Sequence, residues 1–71
     1  MADATCRAIR LIMLIHLLSD RSWRATELAR RLEVSRRTIY RDLADLQDEP
    51  LRVPLVVEDG QWRLFRRSDL N

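Results

Sequence analysis

Arg36, Arg37 and Arg41 stand close together in the stretch RRTIYRDLADLQ, beside an apolar set of Ile39, Leu43 and Leu46. A guanidinium forks onto a phosphate or onto the edge of a guanine, so arginines held in one array suit a polyanion. The spacing decides which of them are aimed outward. At 3.6 residues per turn, Ile39, Leu43 and Leu46 share one side of a helix and define the core direction. Arg37 and Arg41 then point away from it, one turn apart. Thr38 and Tyr40 flank them, Arg36 points sideways in the first turn, and Asp42 leans to the core edge within reach of an arginine on the second helix. Ser35 is a good N-cap, and a helix N-terminus offers backbone donors and partial positive charge to one phosphate. The competing reading is a solvated basic face that only keeps the protein soluble.

Few other residues suggest chemistry. The chain has one cysteine and one histidine, so neither an internal disulfide nor a histidine-cysteine metal cage is available. Cys6 reads as a small buried or half-exposed filler and His16 as a surface or interface residue. No nucleophile-base pair, glycine-rich phosphate loop or metal-ligand spacing occurs, which argues against an enzyme and implies no cofactor. All thirteen basic residues are arginine, and the net charge is only +2. Its distribution is more informative. Arg21 to Arg41 holds seven arginines against Glu27 and Glu33, a balance of +5. Asp42 to Asp59 holds six acids against Arg52, a balance of −5. A basic segment of that kind is a candidate polyanion footprint, and the acidic one a candidate protein-docking surface.

With 71 residues the chain forms one small domain, 1–71, near the lower limit for a self-sufficient core. A first helix is expected over about 5–18. Ala8, Leu11, Ile12, Ile15 and Leu18 form one apolar stripe on it, and Ile9, Met13 and Leu17 a second that suggests a homodimer face. LIMLIHLL is too short to span a bilayer, which needs about 20 apolar residues. No cleavage pattern follows it, so a cytoplasmic protein is expected. A second helix over about 26–32 turns Leu28 and Leu32 inward and Arg30 and Arg31 outward. EVS breaks it, and a third helix runs over about 36–47, ending before Pro50. VPLVVEDGQWRLF then carries two strand-like runs around Asp59-Gly60, a hairpin signal, giving a wing over about 55–65. The tail RRSDLN reads as loose. The fold class is mainly α with a small β-hairpin: a winged helix-turn-helix of three helices and a two-stranded wing.

A helix of this width fits the major groove of B-DNA, where Arg37 or Arg41 can bond guanine O6 and N7. Arg63, with Arg66 and Arg67, offers phosphate contacts from the wing, although Glu58 and Asp59 at its tip oppose that. Trp62 reads as packing on the core.

The string ATELARRLEVSRRTIYRDLADL resembles the helix-turn-helix of bacterial transcriptional regulators of the DeoR type. It is closest to the branch whose members often carry a C-terminal WYL domain, and VPLVVEDGQWRL is similar to that family's wing. The resemblance covers nearly the whole chain. It implies sequence-specific binding of double-stranded DNA, with Ser35, Arg36, Arg37, Thr38, Tyr40 and Arg41 at recognition-helix positions. It also implies an effector domain that these residues do not include. The family usually has glycine at the inter-helix turn, where a left-handed backbone is wanted, and this chain has Glu33. Two alternatives stand beside a DNA-binding regulator: a protein-interaction module using the apolar stripe and the acidic segment, and a DNA-binding appendage of an enzyme.

Overall fold

Helix α1 (Asp3–Asp20) carries so many apolar residues that packing, not periodicity alone, selects its buried side. Leu14 and Leu18 are fully buried, with Leu11, Ile15 and Leu17 packed against the same core. The structure, a computed structural model, describes residues 3–70; the ends of the 1–71 domain at Met1, Ala2 and Asn71 lie outside them. The seam of α1 is therefore Leu11, Leu14, Ile15 and Leu18, spaced i, i+3, i+4, i+7. That corrects the expected stripe: Ala8 and Ile12 are exposed, and Leu14 replaces them. The proposed second stripe also divides. Ile9 and Met13 are exposed together with Ile12, whereas Leu17 packs on the core and its carbonyl accepts the Trp23 indole N–H at 2.9 Å.

After α1 the chain forms a two-residue strand, β1 (Trp23–Arg24), then α2 (Ala25–Leu32) and α3 (Arg36–Gln47). Two further strands follow, β2 (Leu55–Glu58) and β3 (Gln61–Leu64), and a 3₁₀ turn over Arg67–Leu70. The three strands make one antiparallel sheet in the order β1-β3-β2. Trp23 stands opposite Trp62 across β1 and β3, and both rings pack on the helical core. Leu28, Ile39, Leu43 and Leu46 complete that core from α2 and α3. The wing is thus a three-stranded sheet with one strand borrowed from before α2. That strand, β1, has no counterpart in the two-stranded wing expected from the sequence.

Three local signals fix the turns. Glu33 adopts φ 59, ψ 45. Val34 N–H bonds the Ala29 carbonyl at 3.0 Å and Glu33 N–H the Arg30 carbonyl at 3.3 Å, the paired bonds of a Schellman motif. The left-handed turn expected there is present without its glycine, at a cost of about 1 kcal/mol. Ser35 caps α3, accepting the Thr38 N–H at 3.1 Å. Asp59 and Gly60 both have positive φ, 54 and 77, the combination a two-residue type I′ hairpin requires. The tail is not loose: its Asp69 accepts the Arg66 N–H at 2.6 Å and closes the 3₁₀ turn.

Candidate nucleic-acid interface

The core direction of α3 is set by Ile39, Leu43 and Leu46, all essentially inaccessible. Arg37 and Arg41 on the opposite side, and Arg36 and Tyr40 on its flank, are exposed. Among the described residues, none of these three arginines has an ion pair or side-chain hydrogen bond within the chain. Thr38 is half-buried, and its hydroxyl accepts from Ser35 Oγ at 3.0 Å. Ser35 and Thr38 are thereby locked at the start of the helix, while the arginines project from a rigid base. The groove beside them, about 510 Å³, runs between α1 and α3 and is lined by Arg7, Arg10, Thr38, Arg41, Asp42 and Asp45.

The acids of α3 have partners, although not the expected ones. Asp42 is buried to 1 % exposure and takes a two-pronged contact from Arg10, with Nη2 at 3.2 Å from Oδ1 and Nε on Oδ2. The partner lies on α1, not on the second helix as the charge pattern suggested. One turn along, Arg7 pairs with Asp45. Two arginines of α1 thus meet two aspartates of α3 as a ladder, which fixes the recognition helix against α1. It also neutralises the carboxylates that would repel a polyanion beside Arg41. The hydrogen bond to Asp42, opposed by burial, holds the Arg10 guanidinium even more firmly protonated than usual. Sequence reasoning missed Arg7, Arg10 and Asp45; the matching i, i+3 spacing on both helices was the available signal.

The wing distributes its charge differently. Arg63 donates to both oxygens of Asp69, at 2.7 and 2.9 Å, and reaches Glu58 at 3.5 Å. These contacts, the bond to Asp69 foremost, raise its pKa. The same bonds, then the Arg66 N–H, lower that of Asp69. Arg63 is therefore brought to the wing but engaged by the chain's own carboxylates, not left open as expected. Arg66 and Arg67 are exposed. At the tip, Arg24 of β1 donates to the Asp59 carbonyl at 3.2 Å, and Arg21 stacks on the Trp23 ring with its carbon 3.6 Å from the centroid. Cys6 is exposed, against the expectation of a filler.

Three helices with a left-handed turn between the second and third, followed by a β-hairpin, define a winged helix-turn-helix domain. The chain belongs to the HTH domain family, whose family model matches residues 10–61. That range starts at Arg10 on α1 and reaches the first residue of β3. No curated protein and no solved structure matches the chain. At the level the family supports, this is a DNA-binding domain of the kind transcriptional regulators carry. No helix among the described residues is long and apolar enough to cross a membrane.

Proposed function

We propose that this domain binds double-stranded DNA sequence-specifically, as the DNA-reading part of a bacterial transcriptional regulator of the DeoR type, in the branch associated with WYL effector domains. The observation that carries the reading is the exposed set Arg36, Arg37 and Arg41 on α3, without internal ion pairs among the described residues. Arg37 and Arg41 lie one turn apart and face the major groove, where each can bond a guanine edge. Tyr40 donates to phosphate or touches a thymine methyl, and Ser35, Arg36 and Thr38 lie where the helix N-terminus meets one phosphate. The wing meets the backbone or the minor groove beside it.

The acidic segment gives little support to a protein-docking role. Asp42, Asp45, Glu49 and Glu58 are each paired with an arginine of this chain. The exposed Ile9, Ile12 and Met13 on α1 support association instead, and a homodimer on two half-sites about 34–36 Å apart accounts for that face. Leu17 contributes to the core beneath it, not to the contact.

Selecting bound duplexes from a random pool tests the reading. The expected result is one enriched motif containing guanine, bound with an affinity that falls steeply with salt. Retention of every sequence equally, or of none, overturns it.

A further inference from the structure

The wing tip itself carries Glu58 and Asp59, two acids at the place where a polyanion is to be met. Its own arginine, Arg63, is engaged on Asp69 and Glu58. A hairpin so charged repels a phosphate unless a cation reaches it from elsewhere. One does. Arg24 lies outside the hairpin by sequence, yet β1 pairs with β3 and sets it opposite Gln61, next to the turn. Its Nη1 donates to the Asp59 carbonyl at 3.2 Å. The same atom lies 3.1 Å from where a Cβ on Gly60 would stand. Glycine at position 60 therefore serves the positive φ of the turn and also leaves room for this guanidinium. One of five N–H donors is used in the contact. The side chain is exposed and has no carboxylate partner among the described residues.

We infer that Arg24, not Arg63, is the residue through which the wing holds a DNA phosphate, and that its bond to Asp59 fixes the turn in the position for that contact. The inference rests on the reading of the domain as a DNA binder and names a contact which that reading leaves open. Arg24 offsets the tip's negative charge: one of its donors holds the turn at the Asp59 carbonyl, and the others are left for a phosphate. A phosphate contact carries no base information, so Arg24 acts on affinity and register while Arg37 and Arg41 discriminate sequence.

The test uses a labelled duplex carrying the selected motif and an unrelated duplex, with binding followed by anisotropy across a salt series. Arg24→Gln is expected to weaken both duplexes by a similar factor and to lower the salt exponent by about one. Arg24→Lys, which keeps the charge, should retain the exponent, and Arg63→Gln should leave it unchanged. As a second measurement, neutralising single phosphates as methylphosphonates should reveal one linkage whose loss weakens the wild type but not Arg24→Gln. That experiment also reads the contact if Arg24→Gln is less well folded, because the wild type alone must show the sensitive linkage beside the wing. An unchanged exponent in folded Arg24→Gln overturns the inference while leaving DNA binding intact, as does its loss in Arg63→Gln instead. Failure of the wild type to bind either duplex overturns the DNA reading itself.

Discussion

The outer face of α3 and the outer face of the wing both carry arginines, and the two use them in opposite ways. On α3, Arg36, Arg37 and Arg41 project from a helix whose acids are already answered by Arg7 and Arg10 of α1. On the wing, Arg63 is itself the answer to two acids of its own neighbourhood. An arginine is available to a partner only where no carboxylate of its own chain can reach it, and that depends on tertiary placement. The ladder from α1 therefore does more than hold two helices together. It keeps the face of the recognition helix positive by consuming its negative charges.

The largest effect is expected where that ladder is broken at its buried rung. Arg10→Met leaves Asp42, 1 % exposed, as an unpaired buried carboxylate, and the cost is about 3–5 kcal/mol. Urea or thermal unfolding measures it. Restoring much of the loss with Arg10→Met combined with Asp42→Leu would show that the charge, not the packing of Arg10, is responsible. A small domain has little stability to spare, so the single variant should be largely unfolded. On the recognition face the outcome differs in kind. Arg37→Ala should leave unfolding nearly unchanged, since the side chain is exposed and has no ion pair or side-chain hydrogen bond among the described residues, and weaken binding to the selected duplex by about 1–3 kcal/mol with a relaxed preference at one base pair. A loss of stability in Arg37→Ala would erase the contrast between the two faces.

Much of this was legible in the residues, for local reasons. The third helix was readable to its ends because Ser35 caps it and its seam repeats at helical spacing, and the hairpin because Asp59-Gly60 selects a type I′ turn. α1 was readable as a helix but not in its rotation. Eight residues from Leu11 to Leu18 include seven apolar ones, so periodicity barely distinguishes its sides and the core chose Leu14 over Ile12. β1 was invisible because two residues contain no alternation; only its pairing with β3, Trp23 opposite Trp62 and Arg24 opposite Gln61, defines it. The outward arginines of α3 followed from geometry within one helix. The fate of Asp42, Arg63 and Arg24 did not, because each depends on a partner brought from another element.

The inter-helix turn offers a smaller test of how α3 is held. Glu33 at φ 59 bears a left-handed penalty that glycine escapes, partly offset by the greater freedom glycine has when unfolded. Glu33→Gly should therefore stabilise the domain by about 0.5–1 kcal/mol, read as a higher urea midpoint at unchanged slope. Binding at saturating stability should not change, because the turn geometry is already the one glycine would adopt. A destabilised variant would mean that the Glu33 side chain contributes a contact greater than the backbone strain it causes.

The smallest effect is expected at the clasp that occupies Arg63, and its sign follows from linkage. The hydrogen bonds from Arg63, then from the Arg66 N–H, hold the Asp69 pKa below its ordinary 3.8. A depressed folded-state pKa contributes stability that is present above the unfolded value and lost as pH falls through the folded one. The clasp should thus be intact at neutral pH and open only below about pH 4, where Asp69 takes up its proton. Backbone amide shifts of Arg66 to Leu70 followed by NMR should move in that window, ahead of the core amides of α3. Asp69→Asn should produce the same tail shifts at neutral pH. It should change the melting temperature little, because the pair lies at the edge of the fold, its side chains 19 % and 22 % exposed, where solvent still screens it. DNA affinity should not rise with it, since Arg63 keeps Glu58 within 3.5 Å and the wing's available cation is Arg24. A tighter complex from Asp69→Asn would instead make the tail a competitor for a phosphate, and the wing would then differ from α3 only in being covered.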